Sequence, residues 1–312
     1  MTNMLKTKPK IVKKVKSRSV SVVIPSWNSE SQMKQNLPFV FAAAKAVDAE
    51  IVIVDDNSQY DDSAGYLKSL GKKVRFYENN TNGGFSFTVN RGVSLAKGEL
   101  IMLLNTDVRP SPDCFVKAVK YFEDSSVYAL NFNSKEAWMG GEWNDGLFHH
   151  FKVEPTDANK NKVNPSLWAS GGQGAFERNK WLELGGMDLI YKPFYWEDTD
   201  MGFNAWKRGW KVLWAPECKV VHDHQKSVIA SNFTKEFVMA TAQRNQFLFI
   251  WKNVTAPKFM FSHIIRLPYF LLKFPHPVLR ALTFLPSVIV KRMNAKRHWL
   301  RADRDILKLW TR

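Results

Sequence analysis

The chain has 312 residues, 45% of them hydrophobic, so it can bury the core of one large domain or of a domain with an appendage, which excludes a disordered chain. Its net charge of +16 belongs to the two ends, because residues 1–18 hold seven Lys or Arg and no acid, and residues 252–312 hold thirteen against two acids. The part between them is nearly neutral, with 25 basic and 27 acidic residues. A nucleic-acid-binding domain would carry its cations on its folded face, so this distribution argues against nucleic acid and favours an anionic membrane surface.

Composition also indicates the cellular compartment and the domain organisation. The two cysteines, Cys114 and Cys218, form no disulfide framework and suit a reducing cytosol. The basic start is followed by no apolar segment of signal-peptide length. We therefore expect a disordered basic tail at 1–18, a folded α/β domain at 19–251 and a basic, amphipathic helical region at 252–312.

The first third of the domain alternates strands and helices. Hydrophobic periodicity predicts strands at 19–24, 51–54 and 74–77 and helices at 30–47, 66–70 and 86–96. Each of these strands ends in polar residues or a turn. Asn82-Gly83-Gly84-Phe85 precedes the third helix, and a glycine pair at a helix start allows close approach of an anion.

The central prediction concerns the apolar run Leu100–Leu104. A continuous apolar run of this length predicts a strand buried on both faces, in the interior of a parallel or mixed sheet. It ends in Asn105, Thr106 and Asp107, at the edge where open α/β sheets bind ligands. A carboxylate there can hold a divalent cation against a diphosphate, although an aspartate that caps the next helix would give the same pattern.

The second half of the domain repeats the theme after an irregular interval. We predict a helix at 113–122 and a strand at 127–132, then a long excursion without periodicity from 133 to 165 that could border an acceptor. The adjacent His149 and His150 point apart in a strand, which favours packing over metal binding. Gly-rich segments at 170–176 and 185–188 then precede Glu197-Asp198-Thr199-Asp200, a helix at 201–208 and a strand at 211–214. In a further helix at 233–251, Arg244 and Asn245 are candidates to face the site.

These motifs, in this order, resemble the signatures of family 2 glycosyltransferases, and most closely the bacterial subgroup with rhamnosyltransferase-like enzymes of surface-polysaccharide assembly. The resemblance covers about residues 19–226 and implies a GT-A fold, an α/β nucleotide-diphospho-sugar transferase fold with a central, mostly parallel mixed sheet. The matching motifs in the first half are Pro25-Ser26-Trp27-Asn28, Asp55-Asp56-Asn57-Ser58, Asn82-Gly83-Gly84-Phe85 with Asn90 and Gly92, and Leu103-Leu104-Asn105-Thr106-Asp107.

The resemblance assigns the first four motifs to the nucleotide-sugar donor, a UDP- or dTDP-sugar. Pro25, Trp27 and Asp56 would hold the base and the ribose, since an aromatic ring can pack on a base and a carboxylate can accept from an imide or a hydroxyl. Ser26 and Asn28 lie in the same turn. The residues implied to border the ribose and diphosphate are Asn82, Gly84 and Asn90, with Asn105 beside them.

The resemblance also implies a metal and a catalytic base. Asp107 matches the metal-binding aspartate, and Asn105 replaces the first acid of the usual Asp-x-Asp, so one further ligand for Mn²⁺ or Mg²⁺ is expected. His222 resembles that ligand, with His224 as its neighbour and competitor. Asp198 matches the base that would take the proton of an acceptor hydroxyl in an inverting displacement, and Glu197 would orient the acceptor or the loop.

The C-terminal region alternates apolar blocks with cations and prolines. It contains no charge-free span of about 18 to 20 residues, so we predict short helices in a membrane interface rather than a transmembrane helix. Packing of these helices on the domain is the alternative. The sequence thus predicts an inverting, metal-dependent transferase acting on a glycan or polyprenyl-linked acceptor, peripheral on the cytoplasmic face of the membrane.

Two other functions remain open at this stage. A sugar-nucleotide pyrophosphorylase shares the α/β architecture, but it should carry a Gly-rich, basic triphosphate loop after the first strand, where this chain has Pro25-Ser26-Trp27-Asn28. A non-enzymatic basic scaffold, binding membrane or nucleic acid, would carry its charge on the folded domain rather than at the ends.

Overall fold

A computed structural model describes residues 18–134, 137–223 and 232–310. Most of the predicted basic tail at 1–18, and His224, therefore lie outside the described residues. The main sheet has nine strands, with the order β3-β2-β1-β4-β10-β6-β11-β5 and β9 paired to β11, and β7 and β8 form a separate hairpin. The strands are β1 (Val20–Ser26), β2 (Glu50–Asp55), β3 (Arg75–Glu78), β4 (Leu100–Leu104), β5 (Val108–Pro110), β6 (Val127–Asn133), β7 (Trp138–Asn144), β8 (Leu147–Val153), β9 (Asn164–Pro165), β10 (Gln173–Glu177) and β11 (Lys211–His222).

Helices cover both faces of this sheet and extend beyond it at the C-terminal end. In chain order they are α1 (Glu30–Lys45), α2 (Ser63–Ser69), α3 (Phe85–Leu95), α4 (Cys114–Tyr121), α5 (Arg178–Leu184), α6 (Glu197–Lys207), α7 (Lys235–Asn253), α8 (Pro257–Lys273), α9 (Pro275–Thr283), α10 (Leu285–Lys296) and α11 (Asp303–Leu307). Single turns of 3₁₀ helix occur at Gly71–Lys73 and Leu189–Tyr191.

Strand β4 lies at the centre of the sheet, as its sequence predicts. It pairs in parallel with β1 and antiparallel with β10, and all five of its residues are fully buried. Alternate residues serve opposite cores: Leu100, Met102 and Leu104 pack with α1 and α4, whereas Ile101 and Leu103 pack with α3 and α6. A strand with helices on both faces needs apolar residues at every position, which explains the uninterrupted run.

The fold class is confirmed, and most predicted elements lie within one or two residues of the observed ones. Helix α2 begins at Ser63, three residues before the predicted start, because the side chain of Asp62 accepts a hydrogen bond from the Gly65 amide and caps the helix. Four strand pairs of the main sheet, β3-β2, β2-β1, β1-β4 and β6-β11, are parallel. The prediction of a mixed, mostly parallel sheet therefore describes the amino-terminal half.

The excursion predicted without regular structure is the largest difference. Residues 138–153 form the antiparallel hairpin of β7 and β8, in which Gly140 and Gly141 lie opposite Phe151 and His150 and interrupt the alternation that would have marked a strand. His150 packs against Trp168 and Trp196, with ring centroids 4.9 and 5.1 Å apart, which confirms packing over metal binding. The hairpin thereby supports the residue that precedes Glu197.

The C-terminal region is helical, as predicted, and its inner side joins the main core. Phe270, Val278, Val288 and Ile306 belong to the same buried cluster as the residues of α3 and α6. Among the described helices, none combines the length and the hydropathy needed to cross a bilayer.

Candidate functional site

Hydrogen bonds join the polar ends of β1 and β2 at one edge of the sheet. The Asn28 amide donates to Ser58 Oγ at 2.7 Å, and Asn28 Oδ1 accepts from the Gln59 amide at 3.0 Å. Ser26, which is buried, donates to Asp55 at 3.2 Å. Pro25 and Trp27 flank these contacts and are each partly exposed, so they line this edge without being committed to the core.

Asp56 shapes the glycine loop that follows β3. Its carboxylate accepts hydrogen bonds from the amides of Gly83 and Gly84, each at 2.8 Å, and from Asn79 Nδ2 at 2.6 Å. Gly84 has a φ of +82° immediately before α3, a conformation that side chains rarely adopt, and Asn82 is exposed in the same loop. The carboxylate thus fixes the conformation of the loop that leads into α3. A direct contact of Asp56 with a nucleotide stays a prediction.

Asn90 connects this part of the site to the second half of the chain. Its side-chain amide donates to the Met187 carbonyl at 2.8 Å and accepts from the Met187 amide at 2.9 Å. Gly186 leaves room for this contact, because a Cβ there would lie 2.4 Å from Asn90 Oδ1. Asn90 therefore ties α3 to the glycine pair before Asp188, in addition to the predicted role near the donor.

Asp107 and His222 meet where β4 and β11 end. Asp107 Oδ1 lies 3.2 Å from His222 Nε2, and His222 Nδ1 lies 2.7 Å from Gln173 Oε1. Gln173 Nε2 donates to Ser134 at 2.8 Å and points at the Phe132 carbonyl, which can only accept, so its Oε1 must face the imidazole. The proton of a neutral His222 therefore sits on Nδ1, and its Nε2 lone pair faces the carboxylate.

This pair fits a divalent cation. Within the described part of the chain, Asp107 Oδ1 is buried and has no hydrogen-bond partner, although it lies close to the imidazole. Two lone pairs at 3.2 Å repel each other unless a positive charge lies between them. A carboxylate oxygen suits Mn²⁺ or Mg²⁺, and a neutral imidazole whose other nitrogen is held by an amide adds a nitrogen donor, which favours a transition metal such as Mn²⁺ over Mg²⁺. The described residues supply no cluster of three or more acidic, His or Cys ligands, so a bound diphosphate would have to provide the rest.

Glu197 and Asp198 open helix α6, and Glu197 is buried whereas Asp198 is partly exposed. Asp198 accepts from the Gly171 amide with both carboxylate oxygens at 3.1 Å, and Glu197 Oε2 has no hydrogen-bond partner among the described residues. Burial raises the pKa of both carboxyl groups well above the ordinary range, and their proximity raises the pKa of the pair further. The pKa of Asp198 is therefore raised to about 7, so near neutral pH this carboxyl group changes readily between its protonated and ionised forms.

The short segment at residues 170–173 contacts both Asp198 and the Asp107–His222 pair. The Gly171 amide binds Asp198, the Gly172 carbonyl accepts from the Asn105 amide at 2.8 Å, and Gln173 holds His222. A Cβ at Gly171 would lie 2.9 Å from Asp198, and one at Gly172 would lie 2.5 Å from the Asn105 side chain. Glycine at these positions therefore leaves the space that the Asp198 and Asn105 side chains occupy.

The loop before the acid pair is held in an unusual conformation. Tyr195 and Trp196 have φ values of +73° and +78°, which bulky residues rarely adopt. The fully buried Asn245 compensates, since its Nδ2 donates to the carbonyls of Tyr191, Phe194 and Tyr195 at 2.7 to 2.9 Å. Arg244, the other residue predicted to face the site, instead donates to the Lys192 carbonyl and to Asn245. Asn245 thus positions the loop that precedes Glu197 and Asp198.

Two nearby acids have a different environment. Lys252 Nζ lies 2.8 Å from both Asp188 and Asp200, Lys291 lies 3.0 Å from Asp188, and Tyr191 donates to Asp200 at 2.8 Å. Burial favours the neutral form of Asp188, but the two lysines outweigh it and lower its pKa. Sequence reasoning missed this network and the role of Gln173, because their partners are remote in the chain and no local motif marks them.

Comparisons with known proteins agree with this architecture. The sequence matches the profile described as Glycosyl transferase family 2 over residues 21–183. An undecaprenyl-phosphate 4-deoxy-4-formamido-L-arabinose transferase of Serratia proteamaculans (strain 568) is 30% identical over 130 residues, 39% of this chain and 40% of that protein. The chain spans from about a third to about a half of the length of the curated relatives it matches.

Solved structures share the fold at low identity. GalNAc-T7 in complex with UDP, GalNAc and Mn²⁺ aligns with a TM-score of 0.62 at 19% identity, over 76% of this chain and 48% of that one. The mannosyltransferase PcManGT of Pyrobaculum calidifontis, in complex with GDP-Man and Mn²⁺, aligns with a TM-score of 0.57 at 17% identity, over 90% of this chain and 74% of that one. Because the profile match covers just over half of the chain and the fold agrees with it, the protein belongs to glycosyl transferase family 2.

Proposed function

We propose that the protein is an inverting, metal-dependent transferase that moves a sugar from a nucleotide-diphospho-sugar to a hydroxyl group of a glycan or lipid-linked glycan. The observation that carries the proposal is the convergence at residues 170–173, where Gly171 contacts Asp198 and Gln173 contacts the His222 that faces Asp107. The segment thus contacts both a pair of residues that would bind a cation and a carboxylate of raised pKa. A glycosyl transfer needs both, the cation at the leaving diphosphate and the carboxylate at the attacking hydroxyl group.

Asp198 has the role of base in this proposal. A sugar hydroxyl is a weak nucleophile, and a carboxylate within hydrogen-bond reach can take its proton as the oxygen attacks the anomeric carbon. The bond to the nucleoside diphosphate breaks on the opposite face, so the anomeric configuration inverts. Glu197, which precedes Asp198 and is buried, has a pKa raised by burial and by the Asp198 charge, and it orients the acceptor or the loop.

Asp107 and His222 would hold the cation, Mn²⁺ or Mg²⁺, with Gln173 fixing the imidazole. When bound, such a cation supplies positive charge that stabilises the departing diphosphate. Asp56 already accepts from the Gly83 and Gly84 amides, so the backbone amides that α3 would offer to the diphosphate are those of its first turn. Pro25 and Trp27 are available to the base and ribose, with Ser26, Asn28, Asn82, Asn90 and Asn105 around them.

The acceptor and the place of action follow from weaker observations. The Serratia relative is named for transfer to undecaprenyl phosphate, and this chain carries thirteen Lys or Arg against two acids in residues 252–312. We therefore propose a polyprenyl-linked acceptor and a peripheral position on the cytoplasmic face of the membrane. The donor is proposed to be a UDP- or dTDP-sugar, although PcManGT was solved with GDP-Man, so GDP-sugars belong in any donor test.

The test compares Asp198→Asn with the parent protein. A panel of UDP-, dTDP- and GDP-sugars is screened with Mn²⁺ for thermal stabilisation and for metal-dependent release of the nucleoside diphosphate. We expect Asp198→Asn to lower turnover by about 10²- to 10⁴-fold while nucleotide binding is kept, because a base contributes that much to proton transfer.

Asp113→Asn is the matched control, since Asp113 is exposed and its side chain contacts Lys117 and Ser111, which are near it in sequence. It should leave both measurements unchanged. Equal loss of binding and turnover in Asp198→Asn would refute the role of base. Failure of every donor to bind or turn over would refute the transferase proposal and favour a non-enzymatic scaffold.

A further inference from the structure

The outer side of the C-terminal helices is apolar, although it faces solvent. In α8, His263 and Phe270 point into the core, while residues on the opposite side are 59–85% exposed at Ile264, Ile265 and Leu272. A helix that is apolar on both sides is normally buried on both sides. Helix α8 therefore lacks a partner for its outer side within the described chain.

The same property continues into the next two helices. We use the term apolar face for the exposed apolar side chains of α8, α9 and α10, which are Phe261, Ile264, Ile265, Tyr269, Leu271, Leu272, Leu279, Leu282, Ile289, Val290 and Met293. Soluble monomers rarely expose a contiguous apolar area beyond a few hundred Å², and larger areas mark contact with a protein or a membrane. These helices contact one another, which makes the face one surface.

Charge identifies the partner. Residues 257–297 contain eight Lys or Arg and no Asp or Glu. Six of these cations are exposed among the apolar side chains, namely Lys258, Arg266, Lys273, Arg280, Lys296 and Arg297. The Lys273 ammonium lies 5.4 and 5.3 Å from the ring centroids of Tyr269 and Phe274, so its alkyl stem follows the apolar side chains and its charge stays at their edge.

A second copy of this chain is a poor partner for such a surface. A two-fold dimer would bring each copy's face onto its own equivalent and would oppose cations with cations, with no acid in residues 257–297 to neutralise them. Anionic lipid head groups provide the missing negative charge, and the acyl region provides the apolar phase.

We propose that the apolar face docks on the interface of an anionic membrane, with α8, α9 and α10 lying in the plane of the surface. This inference rests on the proposed function only for the identity of the acceptor. Each apolar side chain that enters the lipid loses contact with water, and each cation near the surface is attracted to the anionic head groups.

The face lies next to the catalytic loop. Phe284, between α9 and α10, packs against the guanidinium group of Arg244, whose Cζ atom is 5.7 Å from the ring centroid. Arg244 also donates to the carbonyl of Lys192, five residues before Glu197, and to Asn245, which holds the loop. A docked face therefore brings the catalytic loop close to the level of the lipid head groups, where a lipid-linked acceptor carries its sugar.

The test measures co-sedimentation of the full chain with vesicles of phosphatidylcholine alone or with phosphatidylglycerol, without donor or acceptor. We expect binding to the anionic vesicles that weakens with salt. Ile264→Ser combined with Leu272→Ser should lower the partition coefficient by about tenfold or more, because each exposed side chain would no longer enter the lipid. Lys273→Glu combined with Arg280→Glu should lower it by about tenfold or more as well.

Control variants change exposed side chains of the same kinds on the α/β domain, away from the apolar face. Val116→Ser with Leu182→Ser, and Lys45→Glu with Lys120→Glu, should bind as the parent does. Residues 1–17 are kept in every variant, so binding that survives both changes to the face would assign attachment to that segment and overturn the proposal. A parent that ignores anionic vesicles, or that sediments as a dimer broken by the Ile264 and Leu272 changes, would also overturn it.

Metal-dependent release of nucleoside diphosphate in solution separates the two proposals. Intact release without vesicle binding refutes only the docking surface. Vesicle binding without release refutes only the transferase.

Discussion

Two pairs of buried or partly buried carboxylates on and beside helix α6 have opposite surroundings. Asp188 and Asp200 share the ammonium of Lys252 at 2.8 Å and have further partners in Lys291 and Tyr191. Glu197 and Asp198 have no cation beside them among the hydrogen bonds and ion pairs of the described residues, and the Gly171 amide is the contact made by Asp198. The first pair is neutralised, whereas burial leaves the second with raised pKa values.

Helix geometry explains how neighbouring acids reach such different environments. Asp198 and Asp200 are two residues apart, which is about 200° around a helix, so their side chains leave α6 on opposite sides. Asp200 points to α7 and its lysine, whereas Asp198 points to the segment at residues 170–173. Removal of the partner of a buried acid destabilises a fold strongly, whereas an acid without a cation and with a raised pKa is a candidate for proton transfer.

Removal of the cation from the neutralised pair should have the largest effect. Lys252→Met keeps the side-chain volume but leaves Asp200 buried without its ammonium, so we expect a loss of about 3 to 5 kcal/mol in the free energy of unfolding. Chemical denaturation measures it. Lys211→Met removes an exposed pair with Asp124 and should leave the free energy of unfolding nearly unchanged. Equal losses in the two variants would contradict the distinction between the carboxylate pairs.

The support of the cation site should be the next most sensitive. Gln173→Leu removes the acceptor that holds His222 Nδ1, so the imidazole is no longer oriented toward Asp107. We expect the affinity for Mn²⁺, measured by thermal stabilisation in the presence of UDP, to fall by about 10- to 100-fold.

Gln246→Leu is the control for this change, because Gln246 makes a comparable hydrogen bond to the Phe148 carbonyl away from His222. It should leave the Mn²⁺ affinity unchanged. The same affinity in Gln173→Leu and the parent would mean that Gln173 does not position the metal ligand.

The smallest effect concerns the pH dependence of the unpaired acids. Burial and the Asp198 charge raise the pKa of Glu197, and burial raises that of Asp198, so activity should be lost on the acid side at a pH above the usual carboxylate range. Glu197 has the higher pKa, so it stays protonated and uncharged while Asp198 ionises, and Glu197→Gln should leave the acid limb of kcat/KM at the same pH. A limb that moves to lower pH would mean that Glu197 carries its charge while Asp198 titrates.

Stability has the corresponding sign. A raised pKa in the folded state means that this pair's favourable contribution is present at low pH and is lost as the pH rises through the raised values. Glu197→Gln should therefore reduce the loss of unfolding free energy over that range, and denaturation at a series of pH values would measure the reduction.

The local elements of this protein were largely determined by its sequence. Continuous apolar residues gave β4 its place at the centre of the sheet, and the polar strand ends identified the ligand-binding edge, since parallel strands place their carboxyl ends together. The sequence was least informative at residues 138–153, where Gly140 and Gly141 interrupt the strand pattern of the hairpin.

Only the tertiary structure decided which acids are neutralised. Asp198 and Asp200 occupy the same helical turn and have the same local sequence pattern, yet Lys252 lies 52 residues from Asp200 along the chain and the Gly171 amide lies 27 residues from Asp198. Periodicity reports how a residue relates to its neighbours in the chain, whereas burial, charge pairing and pKa depend on groups that come together only when the chain folds.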